Sequence, residues 1–215
     1  MPITIDVVQD TVCPWCRIGK KNLDDALKHF DGETGVRFHP YFLRPEMPQA
    51  GRDFREHMRA IKGDDDIEPM LIRVSNTGLQ AGLTFNWDKV KRMPNSLLSH
   101  ALILSAPVEA QGRVLDAVHQ AYFVDGKDIG KKETLIEISD GLPVDITKLD
   151  DEAFLDEVAG RAEAAQAQGI TGVPFFIIDG QVGISGAQPP SVLLEAMEEA
   201  VEARRREGAE ARSNL

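Results

Sequence analysis

The residues with the clearest chemical potential are the chain's only two cysteines, Cys13 and Cys16, in Val12-Cys13-Pro14-Trp15-Cys16-Arg17. They stand three apart, just after an apolar run at residues 3–8. On a helix, positions i and i+3 lie one above the other, ~5–6 Å apart at Cβ. A disulfide spans that gap with little backbone movement. The ring it closes is so small that it adds little stability by constraining the unfolded chain. Such a pair suits opening and closing better than stapling a fold, and Cys-x-x-Cys beside a strand-then-helix pattern reads as a thioredoxin-like redox pair. A closed zinc site needs four ligands, and none of the five histidines stands in a compact ligand pattern with the pair, so no metal is expected. Inert buried thiols fit poorly with Pro14 and Trp15 between the cysteines and Arg17, Lys20 and Lys21 after them.

The elements that position this pair are legible in order. Residues 3–8 form a β-branched strand. Asp10 or Thr11 can cap the helix that follows, with Pro14 in its first turn. Leu23, Ala26, Leu27 and Phe30 mark its buried stripe, and Asp31-Gly32 ends it. Residues 36–43 read as a second strand, with Pro40 pointing to an edge. A turn-rich connector, residues 44–51, leads into about a hundred residues of helical pattern. Strand character returns at Pro174-Phe175-Phe176-Ile177-Ile178. Asp179-Gly180 signals a hairpin, and Pro189-Pro190-Ser191 opens a last helix.

A helical block inserted into a four-stranded α/β domain explains this order. Tandem domains do not, because neither end of the chain has enough strands to fold alone. The expected division is 1–44 with 170–203 as the α/β domain, 45–169 as an all-helical insertion, and 204–215, which lacks an apolar stripe, as a frayed tail.

The 215 residues are 42% hydrophobic and carry a formal net charge of −11. That charge argues against a nucleic-acid surface. No apolar run reaches membrane-spanning length, and residues 1–6 lack the zones of a signal peptide. The expected compartment is the cytoplasm, where a transient catalytic disulfide is at home and a structural one is not. Monomer and homodimer both remain open.

Within the pair, Cys13 reads as the nucleophile. It lies at the open end of the helix, where unpaired backbone N–H groups stabilise a thiolate. Cys16, one turn deeper, is the resolving thiol. Arg17, Lys20 and Lys21 either add to that stabilisation or form a solvated helix face. Asp10 is either a cap or a proton shuttle for Cys16. Pro14 and Trp15 form part of a contact surface, or Trp15 packs against the insertion. Trp87, Asn95 and His100 either line a cleft between the two parts or pack ordinarily.

Cys13-Pro14-Trp15-Cys16 together with Gly172-Val173-Pro174-Phe175-Phe176 resembles the DsbA-like branch of the thioredoxin superfamily. More narrowly it is similar to the FrnE-type proteins, relatives of 2-hydroxychromene-2-carboxylate isomerases and kappa-class glutathione transferases. Residues 10–16, 18–20 and 184–188 carry the likeness, with Asn95-Ser96 and His100 as a weaker part. Ala101 and Arg44 depart from the pattern, which tends to carry Arg and Asn there. The resemblance implies an α/β thioredoxin-like fold interrupted by a helical insertion. It also implies a cis peptide before Pro174 that faces the cysteines. The Val173 backbone would then be free to pair with an extended substrate.

The implied activity is thiol–disulfide exchange or isomerisation through a mixed disulfide, on a disulfide-containing protein or a small thiol substrate. No tightly bound cofactor is expected, and glutathione is a candidate co-substrate. Two other readings compete. One is a glutathione-dependent isomerase or transferase, whose relatives generally replace the first cysteine. The other is a non-catalytic binding module that uses the insertion.

Overall fold

The computed structural model describes residues 2–63 and 67–213. Residues 1, 64–66 and 214–215, the last two belonging to the expected tail, lie outside the described residues. In chain order the elements are β1 (Ile3–Gln9), α1 (Pro14–Leu27), β2 (Thr34–Pro40), β3 (Arg52–Asp53), α2 (Phe54–Lys62), α3 (Ile67–Gln80), β4 (Arg92–Met93), α4 (Leu97–Leu104), α5 (Val108–Phe123), α6 (Lys132–Ile138), a 3-10 turn (Ile146–Asp150), α7 (Glu152–Ala167), β5 (Phe175–Ile178), β6 (Val182–Ser185) and α8 (Pro190–Ser213).

The four-stranded sheet runs β2-β1-β5-β6. β1 is parallel to β2 and antiparallel to β5, with Val8 opposite Phe175. The two ends of the chain thus build one sheet, and the helical segment between them is an insertion. Ile3, Ile5 and Val7 of β1 enter the main core, while Val8 joins a second cluster with Tyr41, Ala165 and Ile170. β1 alternates at first, Ile3, Ile5 and Val7 inward against the partly exposed Thr4 and Asp6, and turns apolar on both faces only at Val7-Val8, where both faces are covered. Pro40 is tolerated because β2 is an edge strand. Asp179 and Gly180 both have positive φ, 56° and 69°, as a two-residue hairpin turn requires.

Three local expectations are corrected. The insertion is helical except for a two-residue ladder, Arg52 with Met93 and Asp53 with Arg92, too short and polar to leave a pattern. The helix expected to fray at Arg204 continues to Ser213. Glu, Ala and Arg hold a helix without an apolar stripe, and the Arg204 guanidinium pairs with the Asp179 carboxylate at the hairpin. Finally, Arg17 and Lys20 neither face solvent nor attend the cysteines. Both are buried. Arg17 donates to the Thr84 carbonyl (2.7 Å) and sits 5.0 Å from the Phe85 ring centroid. Lys20 reaches Asp24 (2.8 Å) and Asp116 (2.5 Å). These two cations dock α1 onto the insertion. Lys21, half-buried, pairs with Asp25 on its own helix.

α5 and α7 pack against β2, and α8 packs against α1. One core cluster therefore includes both sheet residues such as Ile5 and Phe176 and insertion residues such as Val114, Leu115 and Tyr122.

Candidate active site

β1 ends at Gln9, and α1 begins at Pro14 after four intervening residues. Cys13 itself is the N-cap, in extended conformation, with Pro14 in the first turn. Neither Asp10 nor Thr11 takes that position. The Thr11 hydroxyl donates to Ser99 Oγ (2.7 Å), because the Ser99 hydroxyl proton is used on the Ser96 carbonyl (2.8 Å). The Cys13 side chain makes no capping bond, so its sulfur is left to the site. Helix N-termini gather unpaired N–H groups, and this one has no acidic residue in its first turn. Both cysteines are free thiols, 4% and 1% exposed.

The Val173–Pro174 bond is cis. The Cys13 thiol lies 3.7 Å from the Val173 carbonyl oxygen, to which it can donate. Antiparallel pairing of β5 with β1 brings this loop to the start of α1. Gly19 sets how closely the two approach: a Cβ there would stand 2.7 Å from Pro174 Cγ and 3.2 Å from Phe176 Cζ. Gly19→Ala is therefore expected to destabilise the fold by ~1–3 kcal/mol through overpacking and to lower exchange activity by pushing the loop off Cys13. Denaturant unfolding and a disulfide-reduction assay on the same preparation check both.

Beneath Cys13, the Cys16 sulfur accepts the Asp10 backbone N–H (3.5 Å). Burial pushes the Cys16 thiol well above its usual range, reinforced by its hydrogen bond and charge interaction with Cys13; the Asp10 N–H acts the other way. At neutral pH Cys16 is a thiol, not a thiolate. Asp10 is itself buried. Its Oδ2 accepts the Leu43 N–H (2.8 Å), and Oδ1 accepts the Val12 N–H (3.4 Å) and lies 3.3 Å from His100 Nε2. His100 thus belongs to the support of Asp10 rather than to a cleft wall. Deeper in the insertion, burial holds His119 well below the usual histidine range and therefore neutral, with neither ring nitrogen hydrogen-bonded.

Cys13, Pro14, Trp15 and Val173 line one cavity of ≈ 340 Å³, together with Trp87 and Gly172. Its other walls come from the insertion: Phe54, Met58 and Ile61 of α2, and Met70, Leu71, Arg73 and Val74 of α3. Trp15 borders the cavity and packs on the insertion, with the Arg73 guanidinium 5.5 Å from its ring centroid. Trp87 stacks on Phe85 at 5.2 Å and donates to Ser75 Oγ (2.8 Å), which fixes it as a wall.

Asn95 is not part of this constellation. Its Nδ2 donates to the Met47 carbonyl (2.7 Å), its Oδ1 accepts the Leu97 N–H (2.9 Å), and it lines a separate hollow beside Phe42. An asparagine before a helix is more readily consumed by backbone groups than left for a ligand. The cavity residues missed from the sequence are the α2–α3 wall, Arg44 and Arg73. The helical spacing of Phe54, Met58, Leu71 and Val74 marks a buried stripe but not whether it faces core or cavity.

Residues 4–198 match the DSBA-like thioredoxin domain, and the chain belongs to that family. It is 26% identical over 203 residues, 92% of this chain and 96% of the relative, to the protein YwbO of Bacillus subtilis (strain 168). Among solved structures it is similar to the probable DsbA oxidoreductase SCO1869 from Streptomyces coelicolor, with 25% identity, a TM-score of 0.80 and 93% and 90% of the two chains covered. It also shares its fold with the cytosolic disulfide reductase DsbM from Pseudomonas aeruginosa, a structure with GSH, at 19% identity, TM-score 0.67, and 93% and 99% coverage. Among the described residues no helix is long and apolar enough to cross a membrane.

Proposed function

We propose that the protein is a thiol–disulfide oxidoreductase or isomerase acting through a mixed disulfide on Cys13. The observation that carries this is the stacking of the pair: Cys13 faces a cavity and touches the Val173 carbonyl, while Cys16 lies below it against Asp10. Cys13 as thiolate attacks one sulfur of a substrate disulfide, forms the mixed disulfide and releases the other sulfur as thiolate. Cys16, losing its proton toward Asp10, then attacks Cys13 Sγ and expels the remaining substrate thiolate. The dithiol has passed two electrons to the substrate and is left as a disulfide. Exchange with a cellular thiol restores it, and the GSH of the DsbM structure supports glutathione in that role. This chemistry fits a reducing compartment, the cytoplasm.

The intact pair weighs against a glutathione-dependent isomerase or transferase, and a site built around two reactive thiols weighs against a binding module. The test is equilibration of the reduced protein with glutathione buffers of graded ratio, followed by mass analysis. A Cys13–Cys16 disulfide should form over a defined range of ratio, and Cys16→Ala should instead retain glutathione or substrate on Cys13. Two thiols that stay free across the whole range would end the reading.

A further inference from the structure

The charge of the cavity opposes that of the chain. The protein carries a formal net charge of −11, yet among the described residues the charged side chains lining the Cys13 cavity are Arg44 and Arg73. Neither pairs with a carboxylate among the described residues. Arg44, half-buried, donates to the adjacent Leu43 carbonyl (2.7 Å), and Arg73, exposed, lies over Trp15. Other cations, such as Lys20 with Asp116, Arg37 with Asp6 and Arg161 with Glu157, are neutralised by carboxylates. A guanidinium offers a planar fork of donors suited to a carboxylate. The α2 and α3 wall residues Phe54, Met58, Met70, Leu71 and Val74 have apolar side chains, and methionine adapts to irregular apolar shapes.

We propose that this cavity binds a small organic disulfide or thiol with an apolar, ring-sized body and a carboxylate. The body lies against α2 and α3, the carboxylate meets Arg44 and Arg73, and the sulfur reaches Cys13. The proposal rests on the reading of Cys13 as the nucleophile and follows the same exchange, in which the substrate disulfide gains two electrons and leaves as two thiols. The volume of ≈ 340 Å³ is near the lower end of small-molecule sites, about 300–1,000 Å³, and has room for a biphenyl-sized body. Glutathione fits it poorly. Its ammonium meets no carboxylate on this lining, and its amides would be desolvated against apolar walls without partners. Glutathione therefore acts on the Cys13–Cys16 disulfide from the mouth rather than as the cavity's ligand.

Two measurements test this. The first is calorimetric binding of unreactive biphenyl-4-carboxylate and biphenyl-4-carboxamide to the reduced protein. The acid should bind at least about tenfold more tightly, the scale of a charged hydrogen bond. Arg44→Met and Arg73→Met should each reduce that preference, and together remove it. The second is reduction of 4,4′-dithiodibenzoate and of oxidised glutathione, where the KM of the dibenzoate should be lower by about tenfold or more. Equal binding of acid and amide, or a preference that survives both substitutions, overturns the carboxylate site. Reduction of both disulfides with equal KM overturns the substrate class and leaves the oxidoreductase reading standing. Preferential binding of the acid with no disulfide reduced upholds the carboxylate site and overturns the oxidoreductase reading instead.

Discussion

Cys13→Ser reduces disulfide exchange by ~10³-fold or more, the scale on which loss of a nucleophile acts. The hydroxyl that replaces the thiol is not ionised near neutral pH and cannot form the mixed disulfide. The fold should be barely affected, because the Cys13 side chain makes no capping bond, and serine is a favoured residue at a helix N-cap. Stopped-flow reduction of a chromogenic disulfide gives the rate, and denaturant unfolding gives the stability. A variant that keeps wild-type turnover would remove Cys13 from the mechanism. Cys16→Ala separates the two thiols: it should permit the first attack and accumulate protein with substrate attached at Cys13.

Asp10→Asn slows the second step by ~10²-fold, the usual contribution of one acid–base group. Burial holds the Cys16 thiol well above its ordinary range, so it is protonated at neutral pH and must lose its proton before it can attack. Asp10 donates its backbone N–H to that sulfur, and its buried carboxylate interacts electrostatically with the Cys16 thiol. With the carboxylate gone, hydroxide is the remaining base. The rate of substrate release from Cys13 should then rise roughly tenfold per pH unit through the alkaline range, as expected when specific base replaces a general base. The wild-type profile should be flatter. The sign follows from a raised thiol pKa: the unreactive form persists as pH rises and yields only above it. A loss of packing alone would lower the rate without steepening the profile, so the slope distinguishes a proton role from a structural one.

Much of this site is visible in the order of residues. Cys13-Pro14-Trp15-Cys16 after an apolar run specifies a strand, a turn and a helix start, and the Asp179-Gly180 hairpin closes the sheet from the far end. Two strands near each terminus, too few at either end to fold alone, point to one shared sheet, but the order β2-β1-β5-β6 is not written in that pattern. Other features were not visible. Asn95 looked available for a ligand, but its carbonyl and amide are taken by local backbone groups, a choice made by chain geometry that spacing does not reveal. For Arg17 and Lys20 the spacing offers only thiolate stabilisation or a solvated face, the latter because lysine and arginine are usually exposed. Their burial depends on Thr84, Phe85 and Asp116, which lie far along the chain. Arg73 lies between two buried positions of α3 and looks like any exposed helix cation. Only the position of α3 over Trp15 puts it at the cavity rim.

The helices of the insertion divide their labour. α5 and α7 pack on β2 and complete the core that holds the sheet, whereas the apolar cavity walls belong to α2 and α3, which pack chiefly on each other, on the short β3–β4 ladder and on α1. Yet Phe54, Met58 and Leu71 belong at once to the cavity wall and to the main core. On the proposed reading, a new substrate is therefore accommodated chiefly at the exposed positions of that wall, Ile61 and Arg73. The buried positions of the same two helices stay tied to the scaffold, and a designer who changes them alters fit and stability together.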